Sequence, residues 1–212
     1  MSVGYLPHFK IYNMTWIIQN WIEIIGTLAG FIYIFLEIKQ NVWLWFVGII
    51  TSALYVVVFF EAKLYADMSL NIYYVIISIY GWYWWLYGNK QTEKKELPIS
   101  KLSLQLSLVL LPITIIIFGI MWFVLSRFTD SQVPMWDSLV TALSIVATWM
   151  LTRKILEQWL VWIFVNIISM GLFIYKGLYP TTLLFFVYFA LALVGYYEWL
   201  KIMKQSNIET LK

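Results

Sequence analysis

The sequence predicts an all-α integral membrane protein with seven transmembrane helices. Three observations carry this: a composition too apolar for a water-facing surface, seven long apolar runs, and a self-similarity between the two ends of the chain. Apolar residues make up 62 % of the 212 residues and charged residues 12 %, with a mean hydropathy of +0.79. A soluble domain carries about 45–50 % apolar and about 25 % charged residues. Too few polar side chains remain to cover a soluble surface, and the chain is far too apolar to be disordered.

Runs of about 18–25 apolar residues are long enough to cross the hydrocarbon core as helices. They fall at Trp16–Leu36, Val42–Phe60, Met68–Leu86, Leu102–Leu125, Met135–Thr152, Leu156–Tyr175 and Thr181–Leu200. None alternates apolar and polar residues with period two, so a transmembrane β-barrel is rejected. Met1–Thr15 is too polar, and reaches Pro7 too early, for a cleaved signal peptide; it reads as an interfacial segment.

The basic residues set the expected orientation. Lys39, Lys90, Lys94, Lys95, Lys101, Arg153, Lys154, Lys201, Lys204 and Lys212 fall on one side, and Lys10, Lys63, Arg127 and Lys176 on the other. The richer side faces the cytoplasm, which puts the N-terminus outside and the C-terminus inside. Asn89–Lys101 is the hydrophilic linker of the chain.

An offset of 114 residues aligns Trp21–Leu86 with Met135–Leu200 without a gap. The identities include Trp45/Trp159, Gly81/Gly195, Tyr74/Tyr188 and Trp85/Trp199, and Lys39/Arg153 keeps its sign. Each half holds three spans. A second odd-numbered half would run inverted unless one more helix intervened, and the fourth span supplies it. The expectation is a single membrane domain over residues 1–212: repeat one at 16–88, a connecting helix at 102–125 and repeat two at 134–203. Parallel 3+1+3 repeats of this kind are the layout of the sugar-transporting SWEET proteins, with the solute near the midplane. The layout itself does not assign a function.

Polar residues inside spans are functional candidates by default. In the sixth span Trp159, Trp162 and Asn166 share one helix face, at i, i+3 and i+7. Two indoles and an amide suit a flat heteroaromatic solute, stacked by the rings and read at an edge by the amide. The competing reading puts Trp159 in an interfacial aromatic belt and makes Asn166 an interhelical bond. The matching face of the second span carries Trp45, Gly48, Thr51, Ser52 and Tyr55. The third span offers Asn71, Tyr74 and Ser78, and the seventh Tyr188. Tyr80, Gly81, Trp82, Trp84 and Trp85 read as an aromatic belt.

Glu23 and Asp137 sit at matching positions near the outer face, as a cation-attracting entry or as partners of loop cations. Glu157 and Glu198 are expected at headgroups or beside Lys154 and Lys201. No acid is expected at mid-membrane, which argues against a proton relay. A net charge of +3 with no basic stripe argues against nucleic acid. No cysteine and one histidine, His8, leave no expectation of a metal, a cofactor or catalysis. An aromatic fraction of 20 % and no Arg within a span favour a neutral or cationic aromatic solute and disfavour a phosphorylated one.

Leu151-Thr152-Arg153-Lys154 followed by Trp159-x-x-Trp162-x-x-x-Asn166 resembles the signature of the Pnu family of bacterial vitamin transporters. Tyr65-Ala66-Asp67 followed by Tyr80-Gly81-Trp82 does the same. The resemblance covers roughly residues 20–202. It implies a homotrimer in the bacterial inner membrane that moves nicotinamide riboside by facilitated diffusion, with a cytoplasmic kinase trapping the product. It also implies that Trp159, Trp162 and Asn166 line the substrate site. Nicotinamide riboside carriers place glutamines on the third span, where this chain has Asn71 and Tyr74, so thiamine and riboflavin stay beside nicotinamide riboside as solutes. A membrane-embedded enzyme lacks a nucleophile–base pair within the spans; a non-transporting binding subunit is separable only by measuring flux.

Overall fold

The computed structural model describes residues 21–61, 65–88 and 97–210. The expected interfacial segment Met1–Thr15, His8 and most of the Asn89–Lys101 linker lie outside the described residues, as do the side chains of Glu23 and of Tyr65-Ala66-Asp67. Among the described residues seven helices follow one another: α1 Trp21–Ile38, α2 Trp43–Glu61, α3 Tyr65–Tyr87, α4 Leu104–Phe128, α5 Pro134–Thr152, α6 Gln158–Tyr175 and α7 Tyr179–Thr210. Among the described residues, α2, α4, α5, α6 and α7 are each long and apolar enough to cross a membrane. In α1 only Ile25–Ile38 counts as an apolar stretch, and α3 is diluted by Asp67, Asn71 and its many Tyr and Trp.

Local chemistry sets the ends. Ser103 caps α4, its hydroxyl accepting from the Leu106 amide. Pro134 opens α5, where a missing amide hydrogen costs nothing. The expected seventh span stopped at Leu200, because Lys201 and Lys204 end the apolar run. The helix continues to Thr210 because no Gly or Pro breaks it, and Met203 is buried in the core.

Six helices form a ring. α2 packs between α1 and α3, and α6 between α5 and α7; the two trios meet where α3 packs on α5 and α1 on α7. α4 packs on α5 outside the ring through Leu110, Val146, Met150 and Ile155. Its other side chains, such as Leu108, Leu111, Ile115 and Ile116, are exposed as a lipid-facing surface.

Positions 114 residues apart have matched surroundings. Trp45 meets Trp85 edge-on at 5.5 Å and 88°, and Trp159 meets Trp199 at 5.6 Å and 87°. A Cβ on Gly81 would stand 2.6 Å from the Trp45 ring, and one on Gly195 2.5 Å from the Trp159 ring. Only glycine lets those indoles reach the α3 and α7 backbones. Gln40 and Lys154 both adopt left-handed backbone, with φ of 53° and 50°, a strain that non-glycine residues rarely carry. Their side chains join across the two trios, Lys154 Nζ donating to Gln40 Oε1 at 3.1 Å. Trp85 Nε1 donates to the Leu151 carbonyl at 3.3 Å, as Trp199 Nε1 does to that of Glu37 at 3.2 Å. Each trio's third helix thus fixes the end of the other trio's first helix.

Trp85 is therefore core and not belt. Trp84 lies under the Arg153 guanidinium, 3.8 Å from ring centroid to Cζ, and Arg153 also donates to the Tyr80 hydroxyl. Glu157 Oε2 accepts from the Leu102 amide at 2.7 Å and ties the approach to α4 onto the α5–α6 corner. Glu198 is exposed. Asp137 pairs with a loop cation, Lys176, at 3.1 Å, and also accepts from Ser131.

Candidate functional site

The ring of six helices encloses a cavity of ≈ 340 Å³, within the usual range of small-molecule sites, about 300–1,000 Å³. α1 contributes Gly26, Ala29, Gly30, Tyr33, Ile34 and Glu37. α2 brings Gly48, Thr51 and Ser52; α3 brings Tyr74 and Ser78. From the second trio come Thr148 on α5, Trp159, Trp162 and Asn166 on α6, and Phe185, Tyr188 and Ala192 on α7. α4 contributes nothing.

Nine of the residues singled out from sequence meet here: Gly48, Thr51, Ser52, Tyr74, Ser78, Trp159, Trp162, Asn166 and Tyr188. Three do not: Trp45, Tyr55 and Asn71. Trp45 is buried beneath Gly81, its indole spent on packing between α2 and α3. Asn71 lies one turn from Tyr74 along α3, past the end of the cavity, half-buried and with a partner of its own. The helical spacing put Asn71 on the right face but could not set how far along α3 the cavity extends.

The lining is asymmetric at equivalent positions. Trp162 on α6 stands opposite Gly48 on α2, and Asn166 opposite Ser52. One trio therefore presents a half-buried indole and an amide, and the other presents room and a hydroxyl. Among the described residues the Asn166 side chain, 5 % exposed, makes no hydrogen bond. The Thr51 and Thr148 hydroxyls are turned back to the carbonyls of Val47 and Ser144, at 2.8 Å each, and keep only acceptor capacity. Trp159 is 1 % exposed, so it is a core indole that lends the cavity one surface, whereas Trp162 is the more open wall.

Glu37 was not foreseen, because the expected first span ended at Leu36. It lies in the last turn of α1, is 4 % exposed and lines the cavity, just beyond the expected span. Gln158 Nε2 donates to its Oε1 at 3.0 Å. Among the described residues the lining includes no Lys, Arg or His. One sequence signal could have found the pair: 114 residues away from Glu37 and Gln158 stand Leu151 and Leu44.

The chain matches the family model described as nicotinamide mononucleotide transporter over residues 20–201. It is 30 % identical over 216 residues to the nicotinamide riboside transporter PnuC of Escherichia coli (strain K12), covering 91 % of this chain and 90 % of that protein. It is 20 % identical over 180 residues to the riboflavin/roseoflavin transporter RibM of Streptomyces davaonensis, covering 84 % of each. Among solved structures, that of the vitamin B3 transporter PnuC shares the fold, with a TM-score of 0.69 and 23 % identity over 93 % of this chain and 88 % of that one. The family match runs from the start of α1 through the connecting helix and into α7 as far as Lys201, and the chain belongs to the nicotinamide mononucleotide transporter family.

Proposed function

We propose that this multi-pass membrane transporter carries nicotinamide riboside by facilitated diffusion across the bacterial inner membrane, with cytoplasmic phosphorylation trapping the solute. The observation that carries the reading is the cavity lining, which among the described residues holds an open indole, an unpartnered amide, one carboxyl and no basic side chain. A pyridinium ring with a carboxamide and a ribose matches each of these. The indole takes the ring face, the amide takes a carboxamide or hydroxyl edge, and the carboxyl complements the charge.

The family description names the mononucleotide, whereas the curated relative from Escherichia coli is named for the riboside. The lining favours the riboside, because a phosphate brought into it would lose its hydration without meeting a cation. Thiamine, also a flat cation with a hydroxyl, is the second reading. The alternatives of an enzyme or a non-transporting subunit have no comparable support, as the relatives are named as transporters.

The reading also takes seven spans in parallel 3+1+3 repeats about an axis along the membrane normal, within one membrane domain. The matched geometry 114 residues apart supports this. The basic-residue distribution puts the N-terminus outside and the C-terminus in the cytoplasm. A homotrimer and a metabolically coupled kinase complete the picture that the family resemblance implies.

The test is calorimetric titration of purified protein with nicotinamide riboside, thiamine and riboflavin, followed by uptake into liposomes. Saturable binding of nicotinamide riboside, and uptake that stops when inside and outside concentrations are equal, are expected. Preferred binding of thiamine or riboflavin, or uphill uptake driven by a proton or sodium gradient without a kinase, would refute it.

A further inference from the structure

Glu37 is held from two sides. Trp199 Nε1 on α7 donates to the carbonyls of Glu37 and Ile38, at 3.2 and 3.3 Å, and fixes the end of α1. Gln158, fully buried at the start of α6, donates to Oε1 at 3.0 Å and fixes the carboxyl. Among the described residues only that one oxygen accepts a hydrogen bond from a side chain.

The equivalent junction in the other half does the same structural work without polar groups. Trp85 secures the Leu151 carbonyl as Trp199 secures that of Glu37. Leu151 and Leu44 fill the positions of Glu37 and Gln158 and belong to the same buried core. Packing at this corner therefore works with two leucines. Burying a carboxyl there is costly unless something compensates, and a single amide bond leaves half of it uncompensated. The carboxyl also lines the cavity, so a cationic solute is a partner that the geometry provides for.

We propose that Glu37 is the specificity-determining residue that recognises the positive charge of the solute's ring and selects a cationic heteroaromatic over its neutral counterpart. Gln158 is a positioning residue that aims the carboxyl. This rests on the solute reading given above and adds to it the source of charge discrimination.

The test uses two ligands of nearly the same shape: nicotinamide riboside, whose ring is cationic, and its 1,4-dihydro form, whose ring is neutral. Titrations of the full-length protein should show a preference for the cation of about ten-fold or more, as expected for a charge pair in a cavity poor in water. Glu37→Gln keeps shape and the Gln158 bond; it should weaken cation binding by about ten-fold and leave the neutral form within about two-fold, so that the preference collapses. Glu37→Leu, on the pattern of Leu151, checks the same ratio should the amide misfold. Gln158→Leu should lower the ratio part-way, which loss of packing alone would not do, since packing affects both ligands alike. Wild-type protein that binds the cation, with an unchanged ratio in Glu37→Gln, would overturn this inference and leave the proposed function standing. Wild-type protein that binds neither form would overturn both.

Discussion

Replacing Asn166 by leucine should weaken solute binding without weakening the solute-free fold. The side chain is 5 % exposed and, among the described residues, its amide makes no hydrogen bond. The amide faces the cavity and makes no bond to its neighbours, so a leucine of similar volume removes no stabilising contact from the solute-free protein. The same change deletes the group that reads the solute's polar edge, and the unmatched solute atom then costs about 1–3 kcal/mol, or roughly five- to 150-fold in affinity. The assay pairs thermal unfolding of the solute-free protein in detergent with titration by nicotinamide riboside. The expected result is an unfolding temperature equal to or above wild type, with weakened binding. A lowered unfolding temperature with wild-type affinity would refute the reasoning, because it would make Asn166 a structural bond between helices.

Three further outcomes follow from the geometry. Trp162→Ala should weaken binding by about 1–3 kcal/mol, the worth of one stacked ring, whereas Trp85→Ala should cost about 3–5 kcal/mol of stability; titration and unfolding of both variants separate the two roles. Gly81→Ala and Gly195→Ala should each destabilise by about 1–3 kcal/mol, since each new Cβ meets an indole that cannot retreat; clearly unequal unfolding shifts would show that the two junctions are not equivalent. The mononucleotide should fail to compete with the riboside in a binding assay, because its phosphate finds no cation in the lining; equal competition would mean that the solute enters elsewhere.

Helices such as α2, α4, α5, α6 and α7 were legible in the sequence because a long apolar run records them directly. Their contacts were legible only in part. The i, i+3, i+7 face of α6 brought Trp159, Trp162 and Asn166 to the cavity because helical spacing is local. Trp85 was misread because an aromatic at the end of a span looks the same whether it meets headgroups or a distant carbonyl; the Leu151 carbonyl that holds it belongs to the other half of the chain. Glu37 was hidden for a related reason. A charge ends an apolar run, so the residue fell outside the expected span, although Gln158 on a remote helix allows it to stay buried. Asp137 was easier, because its partner Lys176 lies in a loop on the same face.

The differences between the two halves are as informative as their likeness. A cavity built from identical halves would present the same groups twice, but a flat glycosylated ring has distinct faces, edges and charge. Where the halves must hold the ring of helices together, equivalent positions agree: Trp45 with Trp159, Gly81 with Gly195, Trp85 with Trp199. Around the cavity Tyr74 and Tyr188 still agree, but other positions part: Trp162 against Gly48, Asn166 against Ser52, Ser78 against Ala192, Glu37 against Leu151. The departures do not follow from packing, since one half manages the Glu37 junction with leucine and the other with a carboxyl. The proposed solute accounts for them, with the stacking wall and amide on one side and the open, hydroxyl-bearing wall on the other. The acid sits at the end of α1, where Trp199 and Gln158 from the second half hold it in place.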